Sequence, residues 1–257
     1  MQSILYWSFI LFLLSLIWAC AGGAQSQTEP NAATNPAQAI VDLAIQKHGG
    51  KKYQNAEIEF DFRQKQYRAM RKNGQFQYER SFKDKSGRQI RDVLNNDGFF
   101  RQLDGQKVTP TEKERLDWSE AVNSVHYFVQ LPASLNDPAV IKTYLGTSQI
   151  KGQAYDKVEV RFQAEGGGRD HEDVYLYWFN RKTHMMDYLA YNYLVNGGGA
   201  RFRAAYNVRT VAGIRFADYI NYKPKTDNRN VAEFDVLFEQ GDLVEVSRIE
   251  TENIRVN

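Results

Sequence analysis

Residues 173–193 read Asp173-Val-Tyr-Leu-Tyr-Trp-Phe179, then Asn180-Arg-Lys-Thr-His184, then Met185-Met-Asp-Tyr-Leu-Ala-Tyr-Asn-Tyr193. Two apolar runs flank five polar residues, the pattern of a β-hairpin. Side chains alternate along a strand, so Val174, Leu176 and Trp178 share one face and Tyr175, Tyr177 and Phe179 the other. In the second run the same alternation sets Met186, Tyr188 and Ala190 against Met185, Leu189, Tyr191 and Tyr193. A sheet with one wet face alternates apolar with polar residues. Here both faces are apolar or aromatic, so the sequence predicts a strand pair covered on both sides. One cover is the ordinary core. The other is expected to be a lid over a hollow that takes an apolar ligand, with Tyr175, Tyr177, Trp178, Phe179, Tyr188 and Tyr191 as its candidate lining. Alternation alone leaves open which face lines that hollow, and large aromatics are also normal core material.

On either side of the hairpin the period changes with the chemistry. Asn35-Pro36 opens a helix whose stripe is Ile40, Val41, Ala44, Ile45 and His48, closed by Gly49-Gly50. His48 is expected as a capping or packing residue in the last turn, where a cation suits the helix dipole. From Glu57 apolar residues alternate with charged ones, and Asn73-Gly74, Ser86-Gly87, Asp97-Gly98 and Asp104-Gly105 punctuate an antiparallel meander. Thr109-Pro110-Thr111-Glu112 has capping-box spacing and opens a helix to about Phe128. Asp137-Pro138 is expected to open a second, shorter helix through Val140, Ile141, Tyr144 and Leu145, closed by Gly146. Strands resume at Val158, Val160 and Phe162 and continue through Phe202–Val208 and Ile214–Tyr222. A short helix is expected over Val231–Phe238, ended by Gly241, before two closing strands. The fold class is therefore α+β: a large, curved antiparallel sheet with helices on its concave side.

The chain start has its own logic. An apolar run from Ile4 to Ala19 stops at Cys20, the only cysteine among 257 residues. Residues 1–19 read as a lipoprotein signal peptide, and Ile17-Trp18-Ala19-Cys20 resembles a bacterial lipobox, although Trp18 is bulky and the first residues lack Lys or Arg. Residues 20–36 then form a lipidated cysteine and a flexible tether of small and polar residues, reaching about 20 Å as a coil. Residues 37–257 form one domain. The net charge of +2 gives no reason to expect nucleic acid. The expected partners are the membrane, through the lipid anchor, and a lipid or other apolar small molecule, or an envelope protein.

Catalytic signatures are sparse. There is no Gly-x-Ser-x-Gly elbow and no P-loop. Asp170-His171-Glu172-Asp173 with His184 is the densest group of metal-ligand types. His171 and His184 flank one strand, which separates them by roughly 30 Å, too far to share an ion within it. No cofactor, metal or catalytic residue is expected.

Tyr127-Phe-Val-Gln-Leu-Pro132, Leu135, Asp137–Gly146, Gly152, Tyr155, the Tyr-Trp-Phe hairpin and the closing Ile249-Glu-Thr-Glu-Asn-Ile254 run carry a resemblance. Over Ala37–Val256 the chain resembles an uncharacterised family of Gram-negative envelope lipoproteins related in fold to the LolA/LolB-like lipoprotein carriers. That resemblance implies a half-barrel sheet closed by helices over an acyl-chain cavity, in a protein anchored at the outer membrane and facing the periplasm. Three readings stay open: a carrier of a lipid or other apolar ligand, an adaptor lipoprotein docking a protein partner, and an envelope hydrolase with dispersed catalytic residues.

The anchor is directly testable. Metabolic labelling with a fatty-acid analogue is expected to mark the wild-type chain and to leave Cys20→Ser unmarked; equal labelling of both removes the lipoprotein assignment.

Overall fold

The computed structural model describes residues 36–165, 172–194 and 197–257. Residues 34–257 form one compact unit, and all three hydrophobic clusters are drawn from it. Cys20 and the stretches around it lie outside the described residues. Among the described residues no helix is long and apolar enough to cross a membrane.

Among the described residues, fourteen strands form two seven-stranded antiparallel sheets, neither closed on itself, which together make a half-barrel. The first sheet holds the meander: β1 (Glu57–Phe62), β2 (Lys65–Lys72), β3 (Gln75–Lys83), β4 (Gln89–Asn95), β5 (Gly98–Leu103) and β6 (Gln106–Val108). The second holds β7 (Val140–Ile150), β8 (Gln153–Phe162), β9 (Tyr175–Asn180), β10 (Met186–Tyr193), β11 (Gly199–Val211), β12 (Ile214–Pro224) and β13 (Leu243–Ile249). The last strand, β14 (Glu252–Val256), leaves the second sheet and pairs with β1 at the edge of the first. The described residues also include the helices α1 (Pro36–His48), α2 (Glu112–Val129) and α3 (Phe234–Gln240).

The central hairpin forms because its loop satisfies itself. Asn180 Oδ1 accepts from the backbone N–H of Lys182 and Thr183, at 2.9 and 3.0 Å, and the His184 N–H returns to the Asn180 carbonyl at 2.7 Å. Tyr177, Trp178 and Phe179 are each at most 1% exposed. On one face Tyr177, Phe179 and Leu189 pack against Ala37, Val41 and Ala44 of α1 and against Leu131 and Leu135. On the other, Leu176, Trp178, Tyr188 and Ala190 pack against Val231 of a 3-10 turn and Phe234 of α3. Trp178 Nε1 donates to Asp235 Oδ2 at 3.4 Å, and Lys157 Nζ forms a buried ion pair with the same carboxylate at 3.1 Å. The indole N–H is thus satisfied where water cannot reach it. α3 therefore covers the face opposite to the one covered by α1. α2 spans the meander, with Val122 buried among Ile58, Phe60, Tyr67 and Tyr78.

Several local expectations are corrected. The Asp137–Gly146 segment is not a helix. After a 3-10 turn at Ala133–Asn136 it enters β7. The spacing of Val140, Ile141, Tyr144 and Leu145 fits a helix, but it fits equally a strand of β-branched and aromatic residues bulged between Tyr144 and Thr147, where Gly146 has φ 90°. α2 is capped by Thr111, not Thr109. Its hydroxyl accepts from the Glu114 N–H at 3.3 Å and Glu114 Oε2 accepts from the Thr111 N–H at 2.9 Å, so the box is one pair of residues further on. Met186 lies on the face of Leu189 rather than that of Tyr188, because the β9–β10 register shifts between Met186 and Tyr188. His48 is a packing residue, as expected, but its burial disfavours the cation that the helix dipole would suit. It is 1% exposed, and burial together with the neighbouring Arg215 pushes its imidazole down to about 4, against the Ala44 carbonyl that favours the protonated form.

The crossing from β13 to β14 turns on Asp218, 3% exposed. Its Oδ1 accepts from the Thr251 N–H and from Arg209 Nη2, both at 3.0 Å, and Oδ2 accepts from Asn207 Nδ2 at 2.6 Å. Asn207, with φ 46°, lies in the interval where the β11–β12 register shifts. Asp218→Ala leaves the Thr251 backbone N–H without its acceptor and the partly buried Arg209 guanidinium without its carboxylate, held only by Thr251. A loss of about 2–3 kcal/mol in urea denaturation is expected.

His48 and His126 are both buried, and burial holds both imidazoles down to about 4. Between the unfolded value of 6.5 and about 4, the unfolded chain takes up protons that the folded chain refuses. Their contribution to stability is fully present above pH 6.5, falls as pH drops toward 4, and levels below that. Thermal melts from pH 7.5 to 4 are expected to show this loss, and His126→Phe to lose less than wild type over the same range.

Candidate functional site

Strand register gathers one aromatic surface on the α1/α2 face of the second sheet. Tyr175 lies opposite Tyr191, Leu189 opposite Arg203, and Ala205 opposite Tyr219. Opposite residues of an antiparallel pair point to one side, so strands β8 to β12 deliver their rings to the same face. The last turn of α2 adds Tyr127 and Phe128. Rings then follow one another: Tyr127 to Phe162 at 6.0 Å, Phe162 to Tyr175 at 5.6 Å, Tyr175 to Tyr191 at 5.8 Å, and Tyr191 to Tyr193 at 6.1 Å. All five are half-buried. Tyr177 lies beneath them, fully buried, and burial with Tyr127, Tyr175 and Tyr219 around it holds its hydroxyl well above the usual tyrosine value.

Arg203 closes the surface on the β11 side. Its Nη2 donates to Tyr191 Oη at 2.8 Å, and its guanidinium lies 4.3 Å from the Phe128 ring centre and 5.0 Å from that of Tyr191. At the other end Tyr127 also lines an open groove of about 470 Å³, walled by Arg71, Phe76, Tyr78, Pro138 and Gln163. Tyr127 Oη is buried without a hydrogen-bond partner among the described residues, as is Arg71 Nε. Arg71 Nη2 donates to the Tyr78 hydroxyl. His126 stacks on Tyr78 at 4.6 Å and its Nε2 donates to the Glu79 carbonyl at 3.0 Å. The site is thus an aromatic strip with polar atoms at both ends, suited to holding an apolar body by its rings and a polar group by its ends.

The six lining residues expected from sequence do not share this surface. Tyr175, Tyr177, Phe179 and Tyr191 stand on it, Tyr175 and Tyr191 half-exposed and Tyr177 and Phe179 sealed below. Trp178 and Tyr188 stand on the opposite face under α3, where Tyr188 stacks on Phe202 at 5.6 Å. The interior at the hairpin is filled. A void beside Phe128, Leu131, Arg215 and Tyr219 measures only about 10 Å³, room for one water at most. Tyr127, Phe162 and Arg203 join the site without having been singled out for it. The alternation of Val158, Val160 and Phe162 carried the signal for Phe162, whereas nothing local marks Arg203. Asp170 and His171 lie outside the described residues; among the described ones no group of three or more His, Cys, Asp and Glu side chains is placed to hold a metal ion.

Similar structures share this general plan. The crystal structure of the LolA superfamily protein NE2245 from Nitrosomonas europaea aligns over 85% of this chain and 92% of its own, with 11% identity and a TM-score of 0.48. That of an outer membrane lipoprotein-sorting protein domain from Vibrio parahaemolyticus aligns over 86% and 93%, with 8% identity and a TM-score of 0.45. A DUF1329 family protein from Desulfovibrio piger gives 12% identity over 86% and 93%, with a TM-score of 0.41. No curated protein matches the sequence. The sequence model of DUF6503, a family of unknown function, matches residues 8–251, most of the chain, and the protein belongs to that family.

Proposed function

We propose that this protein is an envelope lipoprotein, anchored through Cys20 and facing the periplasm from the outer membrane, that binds a lipid or other apolar ligand on the aromatic strip from Tyr127 to Tyr193. The observation that supports this reading is the half-burial of five successive rings. Tyr177 and Phe202 in the same sheet are sealed. The strip instead runs from α2 across three strands and opens into the groove at Tyr127. Covering roughly 300 Å² of ligand apolar surface contributes about 7 kcal/mol before association costs, which sets micromolar affinity as a reasonable ceiling for one acyl chain.

A second reading has its own observation. Val236 on α3 and Val244 and Val246 on the edge strand β13 are 40–51% exposed, and the interior at the hairpin is filled. Such a surface suits an adaptor that docks a protein partner.

Residues 34–257 carry the complete core, so the unit is tested without its anchor. An apolar fluorescent dye is expected to bind with micromolar affinity, and Tyr175→Asp or Tyr191→Asp to weaken it at least tenfold with the melting temperature little changed. Trp178→Ala is expected to do the reverse, lowering stability by about 3–5 kcal/mol while the folded fraction still binds. Absence of dye binding, with aromatic changes that only destabilise, removes the ligand-binding reading and leaves the adaptor.

A further inference from the structure

We propose that the ligand of the aromatic strip is an anionic amphiphile whose acid head is held by Arg203. This inference rests on the ligand-binding reading above and names the chemical class that reading leaves open.

Its starting point is a difference among the cations of the interior. Arg80 and Arg101 share Asp92, Lys157 has Asp235, Arg209 has Asp218, and Arg215 has Asp187. Each is a buried or partly buried cation paired with a carboxylate, as the cost of desolvating a charge requires. Two arginines depart from this, Arg71 and Arg203, each with a buried Nε that has no acceptor among the described residues. Arg71 shares its groove with Asp137, whose carboxyl feels its charge; Arg203 pairs with no carboxylate among the described residues. What surrounds it is aromatic: Phe128 on one side, Tyr191 on the other, with the Tyr191 hydroxyl as acceptor for Nη2. Ring faces offset part of the desolvation of a guanidinium but do not neutralise it. Tyr177 and Tyr219 lie close enough to feel its charge, and neither is a counter-ion at neutral pH.

A guanidinium in this state is an acceptor-seeking group. Its planar fork matches a carboxylate or a phosphate, and such charge-assisted bonds are about twice as strong as neutral ones. The position fits an amphiphile as well as the charge does. Arg203 stands at the Tyr191 end of the strip, and from Tyr191 the rings continue through Tyr175 and Phe162 to Tyr127 and the groove. A head on Arg203 thus directs its tail along the only half-exposed aromatic path described above. A neutral chain of equal length gains the tail contacts alone.

The test compares hexadecanoic acid, hexadecyl phosphate and hexadecanol at pH 8, below their aggregation limits, as displacers of a bound apolar dye from residues 34–257. At least one acid is expected to displace the dye ten times more effectively than the alcohol. A preference for the carboxylate points to a free fatty acid, and a preference for the phosphate to a phospholipid-like head. Arg203→Gln is expected to erase the difference between acid and alcohol while the alcohol still competes; Arg203→Lys, which keeps the charge but not the fork, retains part of it. Circular dichroism melts report whether each variant is folded, and Arg203→Lys carries the test if Arg203→Gln is not. Equal displacement by acid and alcohol overturns the acid head and leaves the apolar ligand standing. Failure of all three to displace a bound dye, or failure of the dye to bind, overturns both.

Discussion

The structure depends on a strand pair whose central residues are sealed on both faces. β9 and β10 place Tyr177, Trp178, Phe179, Met186, Leu189 and Ala190 at 2% exposure or less, on both faces. With no water available, every backbone group of the pair must be met by a neighbouring strand, so β8 and β11 flank it on either side. The two faces must also be covered by separate elements, since no single element can reach both. α1 with the Leu131–Leu135 segment takes one, and α3 with its preceding 3-10 turn takes the other. Even the polar atoms conform. The Trp178 N–H finds Asp235 on the covering helix, and Arg215 on β12 reaches Asp187 at 3.0 Å and the His48 ring at 3.2 Å, tying α1 to the sheet.

Much of this was legible because it is local. The two-faced alternation of residues 174–191, the Asn-Gly and Asp-Gly turns of the meander and the proline at the start of α1 each act within a few residues. The failures came where two local solutions were equally good. Residues 140–145 satisfy both a helical stripe and a bulged strand, and the pairing with β8 decides between them. Thr109 and Thr111 both stand three residues before a glutamate, and the turn is closed by the second. The face of Met186 reverses because a bulge shifts the count by one residue, which no periodicity can announce.

The candidate site divides along the same line. That Tyr175 and Tyr191 share a face follows from alternation and hairpin pairing. That Trp178 and Tyr188 are sealed by α3 does not, since α3 lies more than forty residues away in sequence. Arg203 was illegible for a related reason. Its meaning lies in what surrounds it, a ring from α2 and a hydroxyl from β10, and in the carboxylate that most other interior cations have. In the first sheet Arg80, Asp92, Arg101 and the Trp118 ring, 3.4 Å from the Arg101 guanidinium, form a closed set. A sequence shows the arginines but not which of them is provided for.

The placement of β14 reaches beyond the folded state. β1 sits at the edge of the meander until residues 252–256 arrive to pair with it, Ile58 with Val256 and Glu59 with Arg255. The first sheet is therefore complete only once residues 252–256 have been made. Pairing across almost the whole sequence is a slow step, because loop closure must precede any reward in contacts. Until that pairing forms, the first strand of the meander is an open sheet edge, the kind of edge that other chains can join. β14 thus does two things at once: it covers that edge and, through the Asp218 corner before it, ties the first sheet to the second.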